Sequence, residues 1–314
     1  MIFRIKGKNP PFQANKIFRK ILSDRHLYLM LLPVLANFVI FHYVPMYGLQ
    51  IAFKQYNLVL GASGSPWVGF SNFINFFNSY YFIQIISNTL VLSLLSIVVG
   101  FPIPVIFALM LNEVRNKGYK KFVQTVSYLP YFISVVVVVG MVKNFLERDS
   151  GIVNMLLQLI GMDQVNFLGK PQYFRGVYLG MQIWRYTGFD AIIYIATIIG
   201  IDQELYEAAE MDGAGRFRRI WNITLPGLQS TIIVLFILRI GNIMNVGWQE
   251  ILLLQNSLNE GTSEVIQTFV YKRGIIKADY SFSTAVGLFQ SIIGFVTIMF
   301  ANKISKKVSE TYIF

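Results

Sequence analysis

Six stretches of this chain are each long and apolar enough to cross a lipid bilayer, and they limit the fold more than any single residue does. They cover residues 28–53, 85–111, 122–145, 176–200, 225–248 and 282–302. A spanning helix takes about 20 mostly apolar residues. Of the 314 residues, 54% are hydrophobic and only 14% are charged, against roughly 25% charged in a soluble globular protein. The pattern predicts an all-α integral membrane protein with six transmembrane helices. The first run is longer than the roughly 7–15 apolar residues of a signal-peptide core, and no small-residue cleavage site follows it, so it reads as a span. The 4 Trp, 17 Tyr and 27 Phe suit aromatic belts at two membrane interfaces. Cysteine is absent, which excludes disulfides and thiol chemistry.

The net charge of +11 would suggest nucleic acid in a soluble protein, but here the basic residues fall in loops. Seventeen lie in the N-terminal segment (Arg4 to Arg25), the loop with Arg115, Lys117, Lys120 and Lys121, the loop with Arg216, Arg218 and Arg219, and the tail with Lys303, Lys306 and Lys307. The other three loops hold six. The positive-inside rule then puts both termini in the cytoplasm, with no nucleic-acid partner. The predicted organisation is a basic N-terminus over 1–27, a first span with its external loop over 28–84, a core of five spans over 85–302 and a tail over 303–314. Residues 14–24 suit a short basic interfacial helix. Trp67, Phe70, Phe73, Phe76 and Phe77 suit an aromatic helix on the membrane surface, or a docking surface for an external protein. Glu264 and Asp279 read as solvated loop residues.

The cytoplasmic loop 201–224 has its own logic. Asp202, Glu204 and Glu207 come early and Arg216, Arg218 and Arg219 late, which complements a helix dipole. Leu205, Ala208, Ala209 and Asp212 recur at helical spacing, with small residues at the centre of the face. Gly213 and Gly215 permit a sharp helix end. Pro226 sits where a helix begins without losing a needed N–H. The loop therefore predicts a short helix outside the bilayer, a bend, and re-entry into the fifth span.

Glu207-Ala208-Ala209, three residues, Gly213, nine residues, Ile223, one residue and Leu225-Pro226 resemble the signature of binding-protein-dependent (MetI-like) ABC importer permeases. One departure is Gln203, where relatives often have Pro. His42-Tyr43-Val44-Pro45-Met46-Tyr47-Gly48, with Trp67-Val68-Gly69-Phe70 and Asn72-Phe73, resembles the carbohydrate-uptake subgroup that imports oligosaccharides and polysaccharide fragments. The resemblance covers about 280 residues, everything but the basic N-terminus. It implies a type I importer permease fold with a coupling helix that seats on an ATPase subunit. It also implies a second, homologous permease, two ATPase subunits that bind ATP and Mg, an extracellular substrate-binding protein, and an oligosaccharide cargo. The implied location is the bacterial cell membrane.

No cofactor site is expected in the chain itself. It lacks the Gly-x-x-x-x-Gly-Lys-Ser/Thr loop that cradles nucleotide phosphates, and with two His, no Cys and no His-Glu-x-x-His it offers no catalytic or metal-ligating set. A secondary carrier or channel would show midplane carboxylates or broken-helix repeats, and a membrane enzyme would show clustered catalytic groups. Neither explains the segment Glu207–Pro226. Amino acid, peptide or another small solute is the alternative cargo. Polar side chains inside spans face a cavity or a partner. In the fifth span Arg239, Asn242, Asn245 and Gln249 fall on one face by their spacing, with Trp248 beside them. The fourth span offers Trp184, Arg185, Tyr186, Asp190 and Tyr194. Arg185 and Asp190 lie about 140° apart on a helix and are not expected to pair. These residues are candidates for the substrate path, or for hydrogen bonding between permease helices.

Overall fold

The computed structural model describes residues 24–308; the basic segment before Asp24, the interfacial helix expected there and the last six residues lie outside the described part. Among the described residues the architecture is helical, apart from an isolated bridge between Lys54 and Trp67. The principal helical runs are α1 (Arg25–Phe53), α2 (Ser71–Phe77), α3 (Phe82–Asn112), α4 (Lys117–Phe132), α5 (Val135–Leu146), α6 (Ile152–Leu159), α7 (Pro171–Ile199), α8 (Gln203–Met211), α9 (Arg216–Gly241), α10 (Trp248–Leu254), α11 (Ile266–Tyr271) and α12 (Tyr280–Val308). Four of these, α1, α3, α9 and α12, are long and apolar enough to cross a membrane. The fourth expected span is α7, a 29-residue helix that carries the charged residues Arg175, Arg185 and Asp190 along its length.

Two expected spans are not straight helices. The third is broken between α4 and α5, whose axes differ by 102°. Pro130 lacks the N–H that would continue the ladder, and Ser134 starts a new helix by accepting a bond from the Val137 N–H at 3.4 Å. The fifth stops at Gly241, turns through Asn242–Gly247 and restarts as α10. Pro226 does not open a helix either. It lies inside the continuous run α9, just after a widened π turn at Ile220–Thr224. The π turns at Val39–Tyr43 and Ser96–Gly100 likewise end two residues before Pro45 and Pro102. A proline ring collides with the carbonyl four residues back and leaves it without a donor. Lengthening the preceding bonds to i→i−5, as Val44 to Val39 and Leu225 to Ile220 do, absorbs both effects without ending the helix.

Helix α7 is the axis of the packing. Its first half joins Leu92 of α3, Val138 and Val139 of α5, and Ile251 and Leu254 of α10 through Phe174, Tyr178 and Met181. Its second half meets Val105, Ala108 and Leu111 of α3 and Leu228 of α9 through Ala191, Tyr194, Ile195 and Ile198. A third cluster gathers Phe76, Ile85, Ile266, Phe282 and Val286 around α12. Lipid tails are as apolar as the side chains, so close approach and interhelical hydrogen bonds hold such helices together. Gly188 lets α7 lie against the Ser127 carbonyl of α4, and a methyl at Gly294 would sit 3.2 Å from the Gly241 carbonyl of α9. Asn88, 3% exposed, bonds the Gly261 and Glu264 carbonyls at 3.0 and 3.1 Å and accepts from Arg175 at 3.2 Å. Glu264 is buried, not solvated. It accepts from Lys272 at 2.5 Å, Gln255 at 2.8 Å and Thr268 at 3.0 Å, while burial raises its pKa against the pull of Lys272. Asp279 pairs with Arg273 at 2.9 Å.

Gly188→Ala is expected to push α7 off α4 and destabilise the protein by about 1–3 kcal/mol, the usual cost of overpacking a tight contact. Thermal unfolding in detergent should show a lowered midpoint, whereas Gly180→Ala, where a methyl meets open space, should not.

Candidate functional site

A cavity of about 760 Å³ opens where α3, α4, α7, α9 and α10 converge. Nine of the ten candidate path residues line it: Arg239, Asn242, Asn245, Trp248, Gln249, Arg185, Tyr186, Asp190 and Tyr194. The fifth-span residues do not meet there as one face of a helix, because the helix ends at Gly241. The turn Asn242–Gly247 carries the two asparagines, and α10 returns Trp248 and Gln249 to the same space. Trp184 points elsewhere, into a separate apolar groove with Phe145, Gly176 and Gly180. Its i,i+1 relation to Arg185 turns it about 100° round α7. Sequence reasoning also missed Tyr131, Tyr178, Gln182 and Glu250, which line the cavity. Glu250 stands outside the apolar run, so no periodicity marked it as a membrane-depth acid.

One buried ion pair sets the cavity wall. Arg185 and Glu250 are 7% and 4% exposed and meet at 2.8 Å. Tyr186 donates its hydroxyl to the same carboxylate oxygen at 2.9 Å. The other guanidinium nitrogen bonds the Ile133 carbonyl at 3.3 Å, the group freed by the α4–α5 break. Arg185 thus ties two broken spans to α7. Further contacts fix the turn: Tyr178 accepts from the Gly247 N–H at 3.1 Å, Asn245 N–H donates to the Asn242 carbonyl at 2.8 Å, and Ser93 donates to the Ile243 carbonyl. Arg239 donates to Ser96 of α3 at 2.5 Å. Asp190, exposed to the cavity, is in none of the ion pairs among the described residues. The cavity therefore offers donors (Arg239, Asn242, Asn245, Gln249), an acceptor (Asp190) and flat rings (Tyr131, Tyr186, Trp248) to a hydroxyl-rich solute.

The loop 201–224 hangs between α7 and α9. Asp202 caps α8 by accepting from the Glu204 N–H at 3.0 Å. Gly213 has φ +73°, and the N–H groups of Gly213 and Ala214 return to the Glu210 and Ala209 carbonyls at 3.0 and 2.9 Å. This is the Schellman arrangement that stops a helix on a left-handed glycine. Glu207, Ala208 and Asp212 are exposed and Ala209 half-buried on α8 and its end; Ile223 and Leu225 are half-buried and Pro226 exposed on α9. Three contacts missed by sequence reasoning pin α8 to α9: the Tyr206 and Thr224 hydroxyls at 2.9 Å, Arg219 on Glu210 at 3.0 Å, and Gly227, where a methyl would fall 2.5 Å from Ile201. Around them Met211 and Phe217 are each 89% exposed and Trp221 72%.

Glu250→Leu strands a buried guanidinium and is expected to cost about 3–5 kcal/mol, while the double change Arg185→Met with Glu250→Leu should cost far less. Thermal unfolding of the four members of that cycle measures the difference.

Comparison with known proteins places this geometry. Residues 100–310 match the family described as "Binding-protein-dependent transport system inner membrane component". The chain is 44% identical over 302 residues to the polygalacturonan/rhamnogalacturonan transport system permease protein YteP of Bacillus subtilis, covering 96% of this chain and 94% of that protein. It is 46% identical over 291 residues to protein LplB of the same organism, covering 93% and 92%. A chain of a bacterial ABC transporter involved in the import of the acidic polysaccharide alginate superposes with TM-score 0.88 at 45% identity, covering 94% of this chain and 99% of that one. A chain of an alginate ABC transporter in complex with a periplasmic protein bound to alginate pentasaccharide gives the same TM-score of 0.88. This chain is a multi-pass membrane protein and belongs to the family of binding-protein-dependent transport system inner membrane components.

Proposed function

We propose that the chain is one permease subunit of an ATP-binding cassette importer and that it passes an oligosaccharide through the cavity at the Arg185–Glu250 pair. It works beside a second, homologous permease, with six spans and both termini in the cytoplasm. Two ATPase subunits bind ATP and Mg, and an extracellular binding protein delivers the sugar. The observation that carries this reading is the exposed loop Glu207–Pro226. It keeps an unpartnered surface (Met211, Phe217, Trp221) at the end of two long helices, and it is braced against the helix whose other end supplies Arg239. A partner that shifts α8 shifts α9 with it, and so reaches the cavity. YteP is named for polygalacturonan/rhamnogalacturonan transport and the matching solved transporter for import of the polysaccharide alginate, which favours a saccharide over an amino acid or peptide. Hydrogen-bond donors beside flat rings suit sugar hydroxyls and the apolar faces of pyranose rings.

Gly213→Val puts a β-branched residue in the left-handed region, which costs about 1–2 kcal/mol or more locally and should tilt α8. The variant is expected to insert normally but to lose at least about tenfold in oligosaccharide uptake and in binding-protein-stimulated ATP hydrolysis, a deficit of ~1.4 kcal/mol in coupling. Uptake in proteoliposomes with the full set of subunits tests it. Undiminished uptake and stimulation would remove the coupling role of this loop.

A further inference from the structure

Trp248 lines two spaces, not one. On its far side lies a second pocket of about 400 Å³, bounded by Gln267, Tyr271, Gly274, Tyr280 and Thr284. That volume lies in the range of roughly 300–1,000 Å³ typical of small-molecule sites. The partition between the two spaces is Trp248 together with an amide pair, in which Gln267 donates to Asn245 at 2.5 Å. The Trp248 and Tyr271 rings lie 5.4 Å apart at 35°. The Trp248 indole N–H and the Tyr271 and Tyr280 phenols make no hydrogen bond to any described residue. The three rings are half-buried, so their polar tips stay open at the pocket, where the hydroxyls of a ligand can bond them beside the flat ring faces. No charged side chain lines it.

The floor of the pocket is fixed in advance. Residues Lys272–Ile276 form a π turn, and Gly274 lets it rest on α12, where a methyl would lie 2.6 Å from the Ser283 hydroxyl. Ala278 follows at φ +56°, the one left-handed non-glycine among the described residues. Arg273 braces this turn through Asp279 at 2.9 Å and through the Phe282 ring, 3.7 Å from its guanidinium carbon. Strained backbone of this kind persists only where its surroundings enforce it.

We infer that this pocket is a second saccharide subsite, which holds one pyranose unit of a chain whose neighbouring units occupy the main cavity. The C–H face of the ring lies on Trp248 and Tyr271, and its hydroxyls bond the phenols and the indole. With no charge in its wall, the pocket reads the sugar ring and chain length, not acidic groups. The inference rests on the oligosaccharide reading above.

The test uses the complete importer in proteoliposomes, with a digalacturonide and a pentagalacturonide as probes, each presented on saturating binding protein. Tyr271→Leu keeps apolar bulk and removes the flat face and the phenol. The ratio of pentamer to dimer uptake per assembled complex is expected to fall about tenfold, as the loss of one ring contact worth ~1.4 kcal/mol gives, while dimer uptake holds. Tyr271→Phe, which keeps the ring, should lower the ratio only a few-fold by the loss of one hydrogen bond. An unchanged ratio overturns the subsite, as does a fall in assembled complex with normal uptake per complex, which would make Tyr271 a lipid or subunit anchor. A wild-type importer that takes up neither probe nor any other saccharide removes the oligosaccharide reading and the subsite with it.

Discussion

A guanidinium held at membrane depth is tolerable only if its charge is met, and the geometry of this protein follows from how Arg185 is met at both terminal nitrogens, its Nε alone being left without a partner. Its charge is met by Glu250, which sits on a short helix reached only because the preceding span breaks at Gly241. One remaining donor meets the Ile133 carbonyl, which is free only because another span breaks after Phe132. Each break would leave backbone groups unsatisfied in a low-dielectric interior, at several kcal/mol apiece. The arginine satisfies one of them, while the acid offsets the arginine. Replacing any member exposes the cost borne by the others, which is why the pair acts as a unit and not as an additive contact.

The remaining helices are held by the means available in lipid. Apolar burial adds little between helices that are already in an apolar solvent, so contact depends on small residues and hydrogen bonds. Gly188 and Gly294 let backbones meet, and Asn88, Thr89 and Ser93 reach across to carbonyls or N–H groups of other segments. At Pro45, Pro102 and Pro226 a widened turn two residues upstream accommodates the ring, whereas Pro33 sits in α1 without one. The helix continues through each of them, in contrast to Pro130, where the ladder ends and Ser134 begins another. Local chemistry separates the two outcomes. A residue able to cap a new helix stands four positions after Pro130, and the carbonyl left over has an arginine within reach.

The membrane class, the helical runs and the stop at Gly213 were all legible in the sequence, because each rests on local chemistry: apolar length, or a glycine free to take positive φ. The polar residues of the cavity were also legible as outliers in apolar runs. Their grouping was not. Spacing by threes and fours put Arg239, Asn242, Asn245 and Gln249 on one helical face, whereas a turn after Gly241 brings them together. The same logic misplaced Trp184, whose face of α7 meets a different groove. Glu250, Tyr178 and Tyr206 carried no periodic signal, since their roles depend on partners 65, 69 and 18 residues away in the chain. Long-range pairs are what a pattern of local periods cannot encode.

Where the helices fail proves a better guide to the site than where the polar residues fall. Irregular backbone at membrane depth is stable only if it is buried in protein or faces a water-filled space. The α4–α5 break and the Asn242–Gly247 turn interrupt two of the expected spans, and Tyr131, Val135, Asn242, Asn245 and Gly247 beside them all line one cavity. A rigid bundle of unbroken spans would have no comparable need for that opening. The cavity and the breaks therefore have one cause. The Arg185–Glu250 pair offsets the cost of the breaks, and the breaks deliver polar groups to the space between the helices.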